Sequence, residues 1–133
     1  MAKQDDIRLS EVQVAVMRVL WNEKTATTAT VHELMGKPRS LAYTTVSTLL
    51  SRLEKRGMVR SSKDGRERIF EPLVSEAEVR RHMVSDLVTN LFRGDPGALV
   101  SHLVKDSEFD AADLDSVRRM LAEHSGNRGQ NHD

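Results

Sequence analysis

Hydrophobic residues recur at helical spacing in the first part of the chain and predict two helices. The pattern from Ser10 to Gln13 is a capping box, in which each side chain bonds the other residue's backbone N–H at the start of a helix. Apolar residues then repeat to about Trp21, the single tryptophan, which is expected to pack in the core or at its edge. The threonine-rich residues 25–30 are expected to form a linker. A short second helix is predicted over residues 31–35, since a glycine and a proline follow it.

A third helix is predicted to begin near Ser40 and to end at Gly57, a residue type that favours helix ends. Its apolar side chains lie at i, i+3, i+4 and i+7 and form one narrow stripe: Val46, Leu49, Leu50 and Leu53. The rest of its surface is rich in short hydroxyl and basic side chains: Thr44, Thr45, Thr48, Ser51, Arg52 and Lys55. Ordinary solvated helix faces favour Glu and Lys over threonine, so this composition indicates a contact surface.

Two strand-like segments, 58–63 and 66–71, flank Asp64 and Gly65. Asp-Gly between such segments predicts a hairpin with a type I′ turn. Basic side chains cluster at its tip: Lys63, Arg66 and Arg68. Three helices followed by a hairpin predict a winged helix-turn-helix domain over residues 1–74.

The second half of the chain predicts three further helices. A capping box at Ser75 opens one that continues to about Phe92, and two shorter helices follow. Because the winged-helix core has apolar stripes of its own, residues 75–125 are interpreted as a helical dimerisation domain, and 126–133 as a disordered polar tail. Packing of these helices on their own protomer is the alternative. The chain is thus expected to be mostly α-helical with a small β-hairpin. The apolar residues assigned to dimerisation are Val79, Met83, Leu87, Leu91, Leu99, Leu103, Leu114, Val117 and Leu121.

The formal net charge of zero hides two halves of opposite sign. Residues 1–74 hold 13 Lys and Arg against 9 Asp and Glu, whereas residues 75–133 hold 7 against 11. Within residues 36–68 there are nine basic residues and three acidic ones. The local field, and not the total charge, attracts phosphate, so the first half is suited to nucleic acid. Random scatter of the charges is the alternative explanation.

These features together favour binding to double-stranded DNA. Threonine methyls can touch thymine methyl groups, and hydroxyls can bond bases or phosphates. Arg52 and Lys55 are expected to hold phosphates, as are the basic residues of the hairpin. Tyr43, near the start of the third helix, could bond a phosphate or pack at the core edge. A protein-interaction module and a ligand-responsive regulator with an unmarked pocket remain alternatives.

Other functional classes find little support in the sequence. There is no cysteine, and the five histidines lack metal-ligand spacing, so no metal site or cofactor is expected. Nucleophile–base pairs, a carboxylate dyad and a glycine-rich phosphate loop are also missing, which argues against an enzyme. The chain has no apolar run of membrane-spanning length and no signal-peptide pattern near its start, so a cytoplasmic location without membrane insertion is expected.

Four groups of residues also match a known family. They are Leu9-Ser10 with Met17 and Leu20-Trp21; Leu41 to Val46 with Thr48, Leu49, Leu50, Arg52, Leu53, Lys55 and Gly57; Asp64-Gly65-Arg66; and Phe70 with Pro72. This combination resembles the BlaI/MecI penicillinase-repressor family over about residues 7–125, most strongly over 41–72. The resemblance implies a winged-helix domain and a helical dimerisation domain that together bind palindromic operators and repress β-lactamase or related resistance genes.

The resemblance also implies residue roles and a mode of induction. The family's recognition-helix contacts correspond to Thr44, Thr45, Thr48 and Arg52. Family members are induced when a membrane sensor with a zinc-protease domain triggers cleavage in the C-terminal region, at a bond corresponding to about His102-Leu103. The Asn-Phe pair of family members is absent there, so induction through this bond stays open. A copper-responsive branch uses a cysteine cluster, which this chain lacks.

Overall fold

A computed structural model describes residues 8–106 and 110–130. These residues form a mostly helical chain with one small antiparallel sheet. In chain order the elements are α1 (Glu11–Glu23), β1 (Ala26–Thr27), α2 (Thr28–Val31, continued by a π-helical turn His32–Gly36 and a 3-10 turn Lys37–Arg39), α3 (Tyr43–Lys55), β2 (Val59–Asp64), β3 (Glu67–Pro72), α4 (Glu76–Leu91), α5 (Pro96–Asp106) and α6 (Ala111–Gln130).

Helix α1 begins at the predicted capping box and supplies much of the core. The backbone N–H of Gln13 donates to Ser10 Oγ (3.2 Å), and that of Ser10 donates to Gln13 Oε1 (2.9 Å). The predicted stripe of α3 packs against α1 and the sheet, with Leu49 partly buried and the other three fully buried. The largest fully buried side chains include Phe70, Met17, Leu20, Met35, Leu50, Leu53 and Met58. The core is therefore built from the helix-turn-helix and the hairpin together.

Helix α3 begins three residues later than predicted. Ser40 has a left-handed backbone (φ 58°), which a right-handed helix cannot include, and α3 starts at Tyr43 instead. Before this break, Gly36 lies close to α3. A Cβ on that glycine would lie 2.6 Å from His32 Cδ2 and 2.9 Å from Val46 Cγ2. The glycine therefore allows the helices of the helix-turn-helix to approach closely.

The sheet contains a third strand and a different turn from those predicted. Ala26 and Thr27, expected to belong to a linker, pair with Phe70 and Ile69, so the strand order is β1-β3-β2. In the hairpin Asp64 pairs with Glu67, which leaves Gly65 and Arg66 as the two-residue turn. Gly65 has a positive φ of 70° and Arg66 does not, as in a type II′ turn. The predicted type I′ turn with Asp64 and Gly65 at its centre is thus wrong by one residue.

The chain divides into two compact units, one ending at Leu87 and the other beginning at Val88. This boundary lies within α4 and differs from the predicted division after residue 74. The boundary falls later than predicted because Val79, on α4, is only 3% exposed and belongs to the core of the first unit. The start of α4 is also held there by Trp21, whose indole Nε1 donates to the carbonyl of Val74 (2.9 Å). Trp21 is half-buried beside the core, as predicted.

The second unit contains the end of α4, with α5 and α6. Gly94 (φ 80°) ends the first of these, and Asp110 Oδ1 accepts from the backbone N–H of Asp113 (2.8 Å) at the start of α6. Helix α6 runs to Gln130, so its backbone continues past Gly126, where a disordered tail was predicted. Glycine lowers helix stability by about 1 kcal/mol without forbidding the conformation. Residues 131–133 lie outside the described part of the chain. Among described helices, none is long and apolar enough to cross a membrane.

Candidate nucleic-acid interface

The outer face of α3 exposes every hydroxyl and basic side chain that the sequence assigned to it. Burial of Val46, Leu50 and Leu53 sets the rotation of the helix about its axis. The opposite face consequently meets solvent with its six polar members: Thr44, Thr45, Thr48, Ser51, Arg52 and Lys55. Four of these six carry only a short hydroxyl side chain, so the helix backbone can approach a partner surface closely.

Tyr43 lies at the amino end of this face and is half exposed (50%). Its ring packs edge-on against the His32 ring, with the centroids 5.7 Å apart. His32 Nε2 in turn donates to the carbonyl of Leu41 (2.9 Å), which holds the imidazole in place. The ring of Tyr43 therefore packs at the edge of the domain, and its half-exposed side chain is accessible to a phosphate, which stays a prediction.

The structure divides the nine basic residues of 36–68 into two kinds. Four form ion pairs: Lys37 with Glu33, Arg39 with Glu11, Arg60 with Glu71, and Arg68 with Glu54. Arg56 donates to the Arg8 carbonyl and to Gln13 Oε1. Among the described residues, no ion pair engages the remaining four: Arg52, Lys55, Lys63 and Arg66. All four are exposed, lie on α3 or the hairpin tip, and belong to the predicted DNA-binding set.

Arg68 behaves differently from the other predicted wing cations. Its Nη2 donates to Glu54 Oε1 (2.5 Å) and to Ser61 Oγ (2.7 Å), and its guanidinium lies 5.0 Å from the centroid of the Phe70 ring. The Ser61 hydroxyl also donates to Glu54 Oε2 (2.7 Å). These contacts, called here the wing latch (Glu54, Ser61 and Arg68), join the hairpin to α3. Arg68 is thus engaged inside the domain, although the sequence assigned it to DNA.

The latch also explains the ionisation of Glu54. The hydrogen bond from Ser61, together with the positive charge of Arg68, holds the pKa of Glu54 below its ordinary value even though burial acts in the opposite direction. Glu54 is therefore a carboxylate at neutral pH and keeps the latch closed. The sequence alone did not identify this role of Glu54.

A polar cleft of about 240 Å³ lies between the amino ends of α2 and α3 and the wing tip. Tyr43, Arg66 and Arg68 line it, as predicted members of the interface. Thr27, Thr28 and Ser47 also line it and were missed. Ser47 could have been found from the sequence, because it lies four positions after Tyr43 and so shares its helix face.

The residues assigned to dimerisation fall into two groups. Val79 is buried in its own protomer's core, so its assignment is wrong. Met83 packs against that core, and Leu87 lies beside it on α4. The other six belong to the second unit, where they are exposed or partly exposed: Leu91, Leu99, Leu103, Leu114, Val117 and Leu121.

The predicted cleavage bond lies inside α5. His102 and Leu103 are both exposed, and His102 Nδ1 is 3.1 Å from Asp106 Oδ2. The His102 ring also packs 6.0 Å from the Phe92 ring, measured between centroids. A protease that acts on an extended chain would therefore have to unwind this helix locally. In the described ranges, no three His, Cys, Asp or Glu side chains lie close enough together to hold a metal ion.

A helix-turn-helix with an exposed hydroxyl and cationic face, beside a basic hairpin, defines a winged-helix DNA-binding protein. The chain belongs to the penicillinase repressor family, whose model matches residues 9–123. It is a DNA-binding transcriptional repressor of that family.

Several named proteins are similar to this chain. The transcriptional regulator BlaI of Mycobacterium tuberculosis is 36% identical over 124 residues, which are 92% of this chain and 88% of that protein. The penicillinase repressor of Bacillus licheniformis is 21% identical, over 91% of this chain and 94% of the other. The methicillin resistance regulatory protein MecI of Staphylococcus aureus is 22% identical, over 85% and 92%. Among solved structures, the DNA-binding domain of the repressor BlaI is 28% identical with a TM-score of 0.49, covering 53% of this chain and 85% of that domain.

Proposed function

We propose that the chain represses transcription by binding a palindromic operator as a homodimer. Helix α3 of each protomer enters the major groove of double-stranded DNA, and each wing contacts the neighbouring backbone. The observation that carries this proposal is that, within residues 36–68 of the described chain, the four exposed cations without an ion pair all lie on α3 or the wing tip. Resistance or stress genes are the proposed targets, given the names of the relatives.

The side chains of the interface divide by chemistry into two roles. The short hydroxyl residues at the amino half of α3 read base edges: Thr44, Thr45 and Thr48. Phosphates are held by the cations and by polar groups at the margin of the face: Tyr43, Ser51, Arg52, Lys55, Lys63 and Arg66. Arg68 acts through the wing latch and sets the position of the wing.

Salt-dependent binding to a selected operator tests the proposal. The full chain is used to select bound sequences from random double-stranded DNA, and its affinity for the selected operator is measured between 50 and 200 mM salt. Arg52→Ala and Lys63→Ala should each weaken binding to every sequence and reduce the slope of log K against log[salt] by about 0.9. Thr48→Ala should instead relax preference at one base pair, worth about 1–3 kcal/mol of discrimination.

Lys105→Ala is the matched control, since Lys105 is an exposed lysine on α5. It should leave both the affinity and the salt slope unchanged. A purified chain that binds no DNA in a salt-dependent manner contradicts the proposal.

The second unit supports the homodimer part of the proposal. None of its side chains is buried among those described from Val88 on, and several large apolar residues are strongly exposed, including Leu91 (67%), Val100 (55%) and Leu121 (60%). Apolar surface of this kind is normally covered in a stable protein. A second copy of the chain is the partner that we propose for this surface, because a two-fold dimer matches the symmetry of a palindromic site.

Sedimentation of charged variants tests the dimer. Leu121→Glu should shift the chain towards monomer at micromolar concentration and weaken operator binding, because one half-site is lost per complex. Ser101→Glu adds the same charge at an exposed polar position of α5 and should change neither property. If the wild-type chain sediments as a monomer and still binds a palindromic site tightly, the apolar surface of the second unit is not covered by a second copy.

Induction by a membrane sensor protease stays part of the proposal. The proposed bond, His102-Leu103, lies in an exposed helix, so cleavage there requires local unwinding. Co-expression with a candidate sensor, followed by mass spectrometry of the fragments, locates any cut. Intact chain under inducing conditions would assign induction to another mechanism.

A further inference from the structure

An apolar groove lies between α1 and α4 in the first unit, away from the residues assigned to DNA. Its volume is about 410 Å³, within the range of small-molecule sites. Its walls are formed by Val14 and Trp21 on one helix and by Met83, Val84 and Leu87 on the other. Val84 and Leu87 keep 44% and 39% of their surface exposed, so the groove is open to solvent.

The groove is held open by contacts on its two sides. Val79 anchors the beginning of α4 in the core, where it is 3% exposed. The hydrogen bond from Trp21 Nε1 to the Val74 carbonyl (2.9 Å) fixes the indole, whose polar group is thereby satisfied. The remaining indole surface is an apolar aromatic wall that needs no rearrangement to receive a flat ring.

The polar side chains that line the groove favour an anion. Arg18 and Arg80 contribute two guanidinium groups, and Glu76 contributes one carboxylate. Arg80 Nη2 lies 3.6 Å from Glu76 Oε2, so this pair is largely self-compensated. Arg18 is exposed and has no ion-pair partner among the described residues. Its planar donors match a carboxylate in two parallel hydrogen bonds.

We propose that this groove binds a small aromatic carboxylate, with its ring against Trp21 and its carboxylate on Arg18. The aromatic body covers Val84 and Leu87, which are otherwise left exposed beside the apolar wall. A neutral ligand would leave the uncompensated guanidinium unused, and a long acyl chain would gain nothing from the fixed indole. The site does not depend on operator binding.

The single tryptophan of the chain makes the site directly measurable. 1-Naphthoate is titrated into the full-length protein, and quenching of Trp21 fluorescence is followed alongside equilibrium dialysis. Saturable quenching with one naphthoate per chain is expected. Neutral 1-naphthalenemethanol should bind about tenfold more weakly, as should 1-naphthoate to Arg18→Gln, because each change removes a charge-assisted pair.

Val84→Glu tests the apolar wall from α4. It places a carboxylate beside the ring and should weaken 1-naphthoate binding more than tenfold, since Val84 is exposed and tolerates a polar side chain in the fold. Ser85→Glu adds the same charge at an exposed position outside the groove, and Arg81→Gln removes a neighbouring cation outside it; neither should change the affinity. Unchanged melting temperatures show that each variant is folded.

Three results would overturn the assignment. If quenching does not saturate, or if the acid and the neutral alcohol bind with equal affinity, the groove is not a site for an aromatic carboxylate. If Arg18→Gln binds 1-naphthoate as tightly as the wild type does, the Arg18 guanidinium does not hold the carboxylate. Binding that appears only when the protein is diluted to monomer, as judged by sedimentation, shows that a second copy covers the groove instead.

Discussion

Arg66→Gln and Arg68→Gln each remove one positive charge from the same wing, yet their effects should differ in kind. Arg66 lies in the two-residue turn and has no ion pair with any described residue, whereas Arg68 is engaged in the wing latch. Loss of Arg66 should therefore reduce contact with DNA, and loss of Arg68 should reduce the stability of the domain. The two positions are separated by one residue, so general changes in net charge affect both variants equally.

The magnitudes follow from the contacts. For Arg66→Gln, one lost phosphate contact lowers the salt slope by about 0.9, so between 50 and 200 mM salt the wild type loses about 3.5-fold more affinity than the variant. For Arg68→Gln, the side chains of Arg68 and Glu54 are 42% and 33% exposed, so the ion pair is worth at most about 1 kcal/mol. The guanidinium over Phe70 adds about 0.5–1 kcal/mol, so Arg68→Gln should lower the free energy of unfolding by about 0.5–2 kcal/mol in total.

Two assays separate the predictions. Fluorescence anisotropy on labelled operator gives the salt slope, and urea unfolding gives the free energy of unfolding. Lys105→Gln serves as the control for charge removed outside the wing. A double-mutant cycle with Glu54→Gln should show coupling between Glu54 and Arg68 and none between Glu54 and Arg66. If Arg68→Gln lowers the salt slope as much as Arg66→Gln, Arg68 leaves the latch to bind a phosphate and the division of roles is refuted.

Three further predictions concern stability. Gly36→Ala should destabilise the fold by about 1–3 kcal/mol in urea, because the added Cβ would lie 2.6 Å from the His32 ring and 2.9 Å from Val46, which is fully buried. Trp21→Phe should lower the free energy of unfolding by about 1 kcal/mol, because the hydrogen bond to the Val74 carbonyl is lost. Circular dichroism monitors this unfolding. Glu54, whose pKa is lowered in the fold from its ordinary value of 4.5, stabilises above that value and loses its contribution as the pH falls through the folded pKa. Below about pH 4.5 the wild type should consequently lose stability faster than Glu54→Gln.

Each of these predictions has a contrasting outcome. If Gly36→Ala leaves the free energy of unfolding unchanged, the two helices can move apart without loss of stability. Gly97→Ala, on the exposed start of α5, is the control. Equal stability of Trp21→Phe and the wild type would mean that water replaces the indole bond. Parallel pH profiles for Glu54→Gln and the wild type would show that the carboxylate does not stabilise the wing.

The elements that the sequence predicted well depend on neighbouring residues along the chain. The capping box at Ser10 and the apolar stripe of α3 both arise from spacings of three or four positions, and both were confirmed. The exposed face of α3 follows from that stripe, since burial of one side sets the direction of the other. The hydroxyl and basic surface of α3 could therefore be predicted from local spacing alone.

The features that the sequence missed depend on residues far apart along the chain. Strand β1 has only two residues, and its partner, Phe70 with Ile69, lies more than forty positions away. Arg68 looked like a free cation because Glu54 precedes it by 14 positions on another element. Val79 was assigned to dimerisation because its apolar spacing is the same whether α4 packs on its own domain or on a partner.

The wing is secured along both edges of its central strand. Strand β3 pairs with β1 on one side and with β2 on the other, and the latch joins β2 and β3 to α3, so only the turn between Asp64 and Glu67 lies beyond these attachments. The tip is therefore modular. A side chain exchanged there changes the exposed surface of the wing without disturbing the core. The charge of the tip can accordingly be varied by exchanging Arg66 alone, while Gly65 keeps the positive φ that the turn requires.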